Sequence, residues 1–215
     1  MNEGAKKILA ATMFRYPILE KCRRQIAQAF SLLQQCYANG GKVLVCGNGG
    51  SAADAEHIVG ELMKGFLRKR ELPPDAIEKL QAAWPDDWAY LSANLQGALP
   101  AISLVSQTAL ATAFINDVTA DMVFAQQVYG YARAPDVLIG ISTSGNSRNV
   151  VNAIKVAGTL GVGTIGLTGK TGGVLKDCCD VAIVVPATTT ARIQELHLPV
   201  YHTLCAMVEA EFFTE

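Results

Sequence analysis

Short, almost uninterrupted apolar runs, separated by longer stretches with helical spacing, restrict this chain to one class of fold. The runs predict strands at residues 42–47, 101–105, 136–142, 161–169 and 180–186. A strand without polar residues on either side is buried on both faces, which is typical of parallel sheets covered by helices. Because these strands alternate with helices, we predict an α/β three-layer sandwich with a five-stranded parallel sheet flanked by helices.

The helical patterns lie before, between and after the strands. A long N-terminal pattern covers residues 3–38, and Pro17 predicts that it is broken into two segments or kinked. Asn39 and the glycines after it tolerate the left-handed conformation that ends a helix. Further helices are expected at residues 51–64, 147–160 and 190–213.

Residues 68–100 depart from this alternation of strands and helices. Pro73, Pro74 and Pro85 separate two short helical patterns that carry several aromatic residues. A long connection of this kind is either an amphipathic surface insertion or a functional element such as a lid or a subunit contact. We predict a single domain, residues 1–215, with an N-terminal helical segment at about 3–38 and a helical insertion at about 68–100.

Composition limits the kinds of partner and compartment. The 215 residues are 50% hydrophobic and carry a formal net charge of -1, so nothing in the charge favours nucleic acid. No apolar run is long enough for a membrane span, and the N-terminus lacks the pattern of a signal peptide. The six cysteines form no CxxC pair, which favours reduced, buried thiols. We therefore expect a cytoplasmic protein without nucleic-acid or membrane partners.

Two strand-to-helix junctions have the composition of anion sites. GNGGS, residues 47–51, would present backbone N–H groups at a helix N-terminus, although it matches neither GxGxxG nor GxxxxGKS. GISTSGNSRN, residues 140–149, adds four hydroxyl side chains at the end of another strand. The alternatives are a tight turn and a solvated serine-rich turn. Since ligands of open α/β sheets bind at the carboxyl ends of strands, two such junctions favour a phosphate monoester.

The motifs STSGNS, CGNGGSAADAEH and RIQELH together resemble the sugar isomerase (SIS) domain family. Within it they are most similar to the sedoheptulose 7-phosphate isomerases, also called phosphoheptose isomerases. The resemblance covers nearly the whole chain except residues 68–100. It implies a phosphorylated sugar substrate, interconversion of ketose and aldose through an enediol(ate), and a homotetramer with its sites at subunit interfaces.

His57 and Glu61 are spaced to lie on one face of a helix. From the residues alone they could share a metal ion, include Glu61 as a general base, or form a surface contact. The resemblance implies Glu61 as base, His202 as acid, and one zinc ion per site bound by His57, Glu61, Gln194 and His202. It places substrate contacts at Asn48, Gly49, Gly50, Ser51, Glu61, Asn116, Asp117, Ser142, Thr143, Ser144, Ser147 and Gln194.

The spacing of Gln194 and His202 constrains such a zinc site. Eight residues correspond to about 12 Å along a helix and about 80° around it, which is difficult for one metal ion to bridge. We therefore hypothesise that a neighbouring chain contributes to each site, and we expect His197 to be structural. Because Glu61 cannot be a free base while it is bound to zinc, the zinc ion would either hold the substrate carbonyl as a Lewis acid or organise the site and shift during turnover.

Three functions are compatible with these motifs. The first is conversion of sedoheptulose 7-phosphate to D-glycero-D-manno-heptose 7-phosphate. The second is a non-catalytic SIS protein of the replication-initiator-binding type. The third is an SIS isomerase or sensor for another phosphosugar. The presence of both Glu61 and His202 favours an enzyme, whereas the phosphate turns do not discriminate sugar length.

Overall fold

The computed structural model describes residues 1–213 and contains the predicted sheet. Its strands are β1 (Val43–Gly47), β2 (Ala101–Ser103), β3 (Val137–Ser142), β4 (Gly163–Thr168) and β5 (Val181–Val184). They form one sheet in the order β2-β1-β3-β4-β5, and every neighbouring pair is parallel. The predicted α/β fold class is confirmed.

Helices cover both faces of this sheet. They are α1 (Glu3–Arg15), α2 (Arg23–Ala38), α3 (Gly50–Met63), α4 (Pro74–Ala83), α5 (Trp88–Asn94), α6 (Thr108–Asp117), α7 (Val123–Tyr131), α8 (Arg148–Thr159), α9 (Gly173–Cys178) and α10 (Thr190–Phe212). A 3-10 helix, Pro17–Cys22, separates α1 from α2, so the predicted break at Pro17 is confirmed. No element is predicted for residues 106–135, where the structure has α6 and α7.

The two faces of the sheet are separately packed. Val43 and Val45 point into a core shared with α1, α2, α3 and α10, whereas Leu44 and Cys46 point into a core shared with α7 and α8. This alternation follows from the two-residue period of a strand. It places α3 and α10, which carry the candidate acid–base residues, on the same face of the sheet.

Helices α4 and α5 form a hairpin on the surface. Neither helix contains a buried residue, and Trp84 and Tyr90 are 60% and 73% exposed. The ends of the segment are close together, because the Gly97 N–H donates to the Arg70 carbonyl at 2.9 Å. The hairpin therefore projects from a closed base, and its role as a lid or a subunit contact stays a prediction.

The cysteines are free thiols, four of them buried and Cys178 and Cys179 partly exposed. Burial raises the pKa of the Cys36 and Cys205 thiols to about 12, which keeps them protonated at neutral pH. Among residues 1–213, no helix combines the length and the apolar composition needed to span a membrane.

Candidate functional site

The first predicted phosphate turn joins β1 to the N-terminus of α3. Gly49 directly precedes the helix with φ of 57° and ψ of -122°, a conformation that favours glycine. The Ser51 N–H donates to the Asn48 carbonyl at 3.0 Å, and Asn48, Gly49 and Gly50 are exposed whereas Ser51 is buried. The turn thus presents a helix N-terminus to solvent, as expected for an anion site.

The second turn joins β3 to α8. Oγ of Ser142 lies 2.9 Å from Oγ of Ser147, and the backbone N–H of Asn146 donates to Oγ of Ser144 at 3.2 Å. Gly145 has φ of 70°, and a Cβ there would collide with the backbone of Gly172. Thr143, Ser144 and Ser147 are partly exposed, so their hydroxyls border the carboxyl edge of the sheet.

The two turns are linked side by side by a pair of amides. The side chain of Asn48 donates to Oδ1 of Asn149 at 2.9 Å, and the side chain of Asn149 donates back to Oδ1 of Asn48 at 2.9 Å. A cleft of about 380 Å³ lies beside them, lined by both asparagines and by α6 residues that include Ala111 and Ile115. Asn149 was not predicted, because only the adjacency of β1 and β3 brings it to the first turn.

The predicted acid–base residues meet where α3 lies against α10. Nε2 of His57 is 3.1 Å from Oε1 of Glu61 and 3.4 Å from Nε2 of His202. Nζ of Lys64 lies 3.3 Å from the other carboxylate oxygen of Glu61. The structure therefore brings together His57, Glu61 and His202.

Gln194 lies elsewhere along the same pair of helices. Its side-chain amide lies against Gly50, where an added Cβ would collide with it. Gly50 and His57 are seven residues apart on α3, about 10 Å along the axis, and Gln194 and His202 are eight apart on α10. The two helices thus run in the same direction, and Gln194 is about two turns away from the histidines.

The nitrogen and oxygen atoms of His57, Glu61 and His202 are of the types that bind zinc. The distances from Nε2 of His57 to the other two donor atoms also suit a zinc site. A tetrahedral site with zinc–nitrogen bonds of 2.0–2.1 Å has donors about 3.3 Å apart. The separations of 3.1 Å and 3.4 Å around His57 agree with that value. Within residues 1–213, however, no three His, Cys, Asp or Glu side chains are arranged to hold a metal ion. The single chain therefore supplies matching donors without a completed site.

Tyr201 orients the His57 ring from the side away from Glu61. Its hydroxyl lies 3.0 Å from Nδ1 of His57 and 3.1 Å from Oδ1 of Asp54. Burial raises the pKa of the Tyr201 hydroxyl, so it keeps its proton. Burial also raises the pKa of Asp54, although the Tyr201 hydrogen bond opposes that shift. Neither residue was predicted, because their contact depends on the packing of α3 against α10.

Burial lowers the pKa of His202, and the charge of His57 acts in the same direction while Glu61 opposes both.

His197, one and a half turns earlier on α10, is fully buried, and burial lowers its pKa to about 4. Its ring lies near the Thr168 backbone, but neither ring nitrogen has a hydrogen-bond partner within residues 1–213. Its burial supports the expected structural role.

Asn116 and Asp117 lie at the C-terminal end of α6. Both are exposed, and the Asn116 side chain donates to Oδ1 of Asp117 at 2.9 Å. Neither is among the residues that line the cleft beside Asn48. Their predicted contact with substrate stays a prediction.

Comparisons with known proteins place these residues in a family. The model of the SIS domain matches residues 10–84 and 94–169, and the two stretches are separated within the predicted insertion. A protein named phosphoheptose isomerase from Aliarcobacter butzleri is 39% identical over 206 residues, covering 96% of this chain and 95% of its own. Another of that name, from a Nitratiruptor species, is 42% identical over 195 residues, covering 91% and 90%. The solved structure of phosphoheptose isomerase GmhA from Neisseria gonorrhoeae has a TM-score of 0.73 at 35% identity, covering 94% of each chain.

Proposed function

The chain belongs to the SIS domain family and is a phosphosugar isomerase, and from this premise we propose that it converts sedoheptulose 7-phosphate to D-glycero-D-manno-heptose 7-phosphate. The relatives that cover nearly the whole chain are named phosphoheptose isomerases. The observation that carries the proposal is the contact of His57 with both Glu61 and His202 on helices that flank the first phosphate turn.

The proposed reaction moves one proton between carbons and one between oxygens. The Glu61 carboxylate removes a proton from C1 of the ketose, and the electrons of that bond form the C1–C2 double bond of an enediol(ate). His202 supplies a proton to O2 and accepts the proton of O1. Return of the proton from Glu61 to C2 completes the aldose. General acid–base catalysis of this kind contributes about 10²- to 10⁴-fold to the rate.

His57 and Lys64 prepare Glu61 for that role. His57 contacts one carboxylate oxygen of Glu61 and Lys64 the other, so the carboxylate is held in one orientation on α3. The Glu61 side chain is 14% exposed, which limits its contact with water while leaving an approach for substrate. The Tyr201 hydroxyl at Nδ1 fixes the ring plane of His57.

We also propose one zinc ion per site, bound by His57, Glu61, Gln194 and His202, with Gln194 and any further missing donor supplied by a neighbouring copy of the chain. The donor types and the two short separations around His57 support this set, and the place of Gln194 beside Gly50 supports a second chain as its source. When bound, zinc would supply Lewis-acid stabilisation of substrate oxygen or hold the site in order.

A homotetramer is proposed on the same grounds. A groove of about 340 Å³, lined by His202, Phe66, Leu67 and residues of α1, opens beside the acid–base residues. Leu67 in the groove is 64% exposed. A second copy covering this groove would bury the Leu67 side chain next to the site. The free thiols fit the proposed cytoplasmic location.

The direct test is turnover of sedoheptulose 7-phosphate by the purified protein, with and without added zinc, beside the Glu61→Gln and His202→Asn variants. We expect wild-type turnover, and a loss of about 10²-fold or more in each variant. Binding of the sugar phosphate without turnover would instead support the non-catalytic SIS protein or the phosphosugar sensor. Full activity of either variant would remove that residue from the mechanism.

A further inference from the structure

Arg70, in the segment that follows α3, and Glu209, on α10, form a buried ion pair beside the two helices that carry the acid–base residues. Nε of Arg70 donates to Oε1 of Glu209 at 2.8 Å, and the side chains are 0% and 1% exposed. Buried ions are costly unless they are paired and hydrogen-bonded, and replacing such a pair by apolar side chains often preserves stability. Because stability alone does not explain the pair, we consider which backbone groups Arg70 and Glu209 bind besides each other.

The Arg70 guanidinium binds the end of α3. Nη1 donates to the Leu62 carbonyl at 2.6 Å, and Nη2 donates to the Glu61 carbonyl at 2.8 Å. The last carbonyls of a helix lack partners within the helix, and a cation there also interacts favourably with the helix dipole. Arg70 thus holds the backbone of Glu61 itself.

The Glu209 carboxylate binds the chain just after α3. It accepts from the Phe66 N–H and the Leu67 N–H, each at 2.8 Å. The Phe66 ring lies against the His202 ring, with centroids 5.2 Å apart. Glu209 is seven residues beyond His202 on α10, so one carboxylate fixes both the helix that carries His202 and the aromatic side chain that packs against it.

We propose that Arg70 and Glu209 are positioning residues that set the placement of Glu61 relative to His202. Arg70 acts on the Glu61 backbone, and Glu209 acts on Phe66 and on α10. The catalytic meaning of this arrangement rests on the proposed acid–base roles of Glu61 and His202. Misplacement by about 1 Å can cost about 10²-fold in rate, so a displaced helix end would lower turnover even in a folded protein.

The chain offers a matched control in Asp136. Its carboxylate is also buried, with a side chain 4% exposed, and it accepts from Nζ of Lys42 at 2.6 Å and from the Lys42 and Arg133 N–H groups at 2.9 Å each. It lies at the amino end of β3, at the edge of the sheet opposite the phosphate turns. Asp136→Asn therefore removes a comparable buried charge far from the acid–base residues.

The test compares Arg70→Lys and Glu209→Gln with Asp136→Asn, using kcat and KM for sedoheptulose 7-phosphate and the melting temperature. We expect all three to lower the melting temperature, but only Arg70→Lys and Glu209→Gln to lower kcat by at least about tenfold with KM changed less than about threefold. A kcat for both variants within about twofold of that of Asp136→Asn would overturn the proposal.

Two further measurements test the proposal if a variant does not fold or if the wild-type protein shows no turnover. If a single variant does not fold, the double variant Arg70→Met/Glu209→Leu removes both charges, and the proposal requires it to fold and to retain the loss of kcat. If the wild-type protein proves inactive, hydrogen exchange of residues 61–67 replaces turnover. Faster exchange there in Arg70→Lys but not in Asp136→Asn supports positioning, and equal exchange in both overturns it.

Discussion

Gly50 shows at the scale of one residue how α10 restricts the first phosphate turn. An added Cβ would collide with the Gln194 amide, whereas at Gly60, on the same helix, a Cβ would meet no atom within 4 Å. We predict that Gly50→Ala lowers turnover by at least about tenfold because Gln194 and the turn must separate.

The control is Gly60→Ala, which should keep its turnover and gain up to about 1 kcal/mol of stability, since alanine is the better helix former. Measuring kcat and chemical denaturation of both variants checks the pair. Equal turnover in the two variants would show that the approach of Gln194 to Gly50 has no functional consequence.

His197 carries a prediction about pH. Its pKa falls from 6.5 to about 4 on folding, so the unfolded chain takes up the proton first as the pH decreases. The free energy of unfolding is therefore unaffected by the protonation of His197 above about pH 6.5. As the pH falls from about 6.5 to about 4, it decreases by roughly 3 kcal/mol in total because of this residue. Denaturant titrations of the wild type and of His197→Phe across this range test it. The variant should have a flatter pH dependence, and parallel curves would contradict the assignment.

The residues of the site differ in how far sequence could identify them. His57 and Glu61 are four apart on one helix, so their contact follows from helical geometry alone. The contact of His57 with His202 and Tyr201 depends on the packing of α3 against α10, which no local pattern encodes. Arg70 and Glu209 were missed for the same reason, since they are 139 residues apart.

At the scale of elements, the strands were predictable and several helices were not. A strand buried on both faces is an apolar run, and all five appear as such in the sequence. Helix α6 contains no buried residue, and α9 has only six residues, so neither has a full apolar stripe. The bounds of α3, α8 and α10 differ from prediction by one residue at each affected end.

Deletion of the α4–α5 hairpin tests whether it contributes to the stability of the fold. Replacing residues 74–94 by a short Gly-Ser linker should leave cooperative thermal unfolding nearly unchanged, because neither helix contains a buried residue. The linker retains Gln96, whose side chain accepts from the Gly65 N–H at 2.7 Å, and Gly97, which closes the base. Circular dichroism melts check the fold. Loss of cooperative unfolding would show that the hairpin belongs to the core, and an altered substrate preference would identify it as a lid.

In the whole assembly, the hypothesis that neighbouring copies share each site can be tested by mixing inactive variants. The test uses Gln194, which lies beside Gly50 and about two turns from the histidines. Glu61→Gln chains retain Gln194, and Gln194→Ala chains retain Glu61. If neighbouring copies share each site, equal mixing of the two inactive variants should restore about a quarter of the sites. The measurement is turnover after subunit exchange.

The control mixes Glu61→Gln with His202→Asn. Glu61 and His202 both contact His57 within one chain, so this mixture should stay inactive. Recovery in neither mixture would place Gln194 and Glu61 in the same chain's site, or remove Gln194 from the site altogether.

The most direct measurement of the central claim is a competition among ketose phosphates. Sedoheptulose 7-phosphate, fructose 6-phosphate and ribulose 5-phosphate are offered together to the wild-type protein and to Glu61→Gln, and the aldose products are followed by NMR. The account predicts that the aldoheptose 7-phosphate forms in preference to the other aldoses and that Glu61→Gln forms it at least about 100-fold more slowly. Preferential conversion of the six- or five-carbon ketose, or equal conversion by Glu61→Gln, would contradict it.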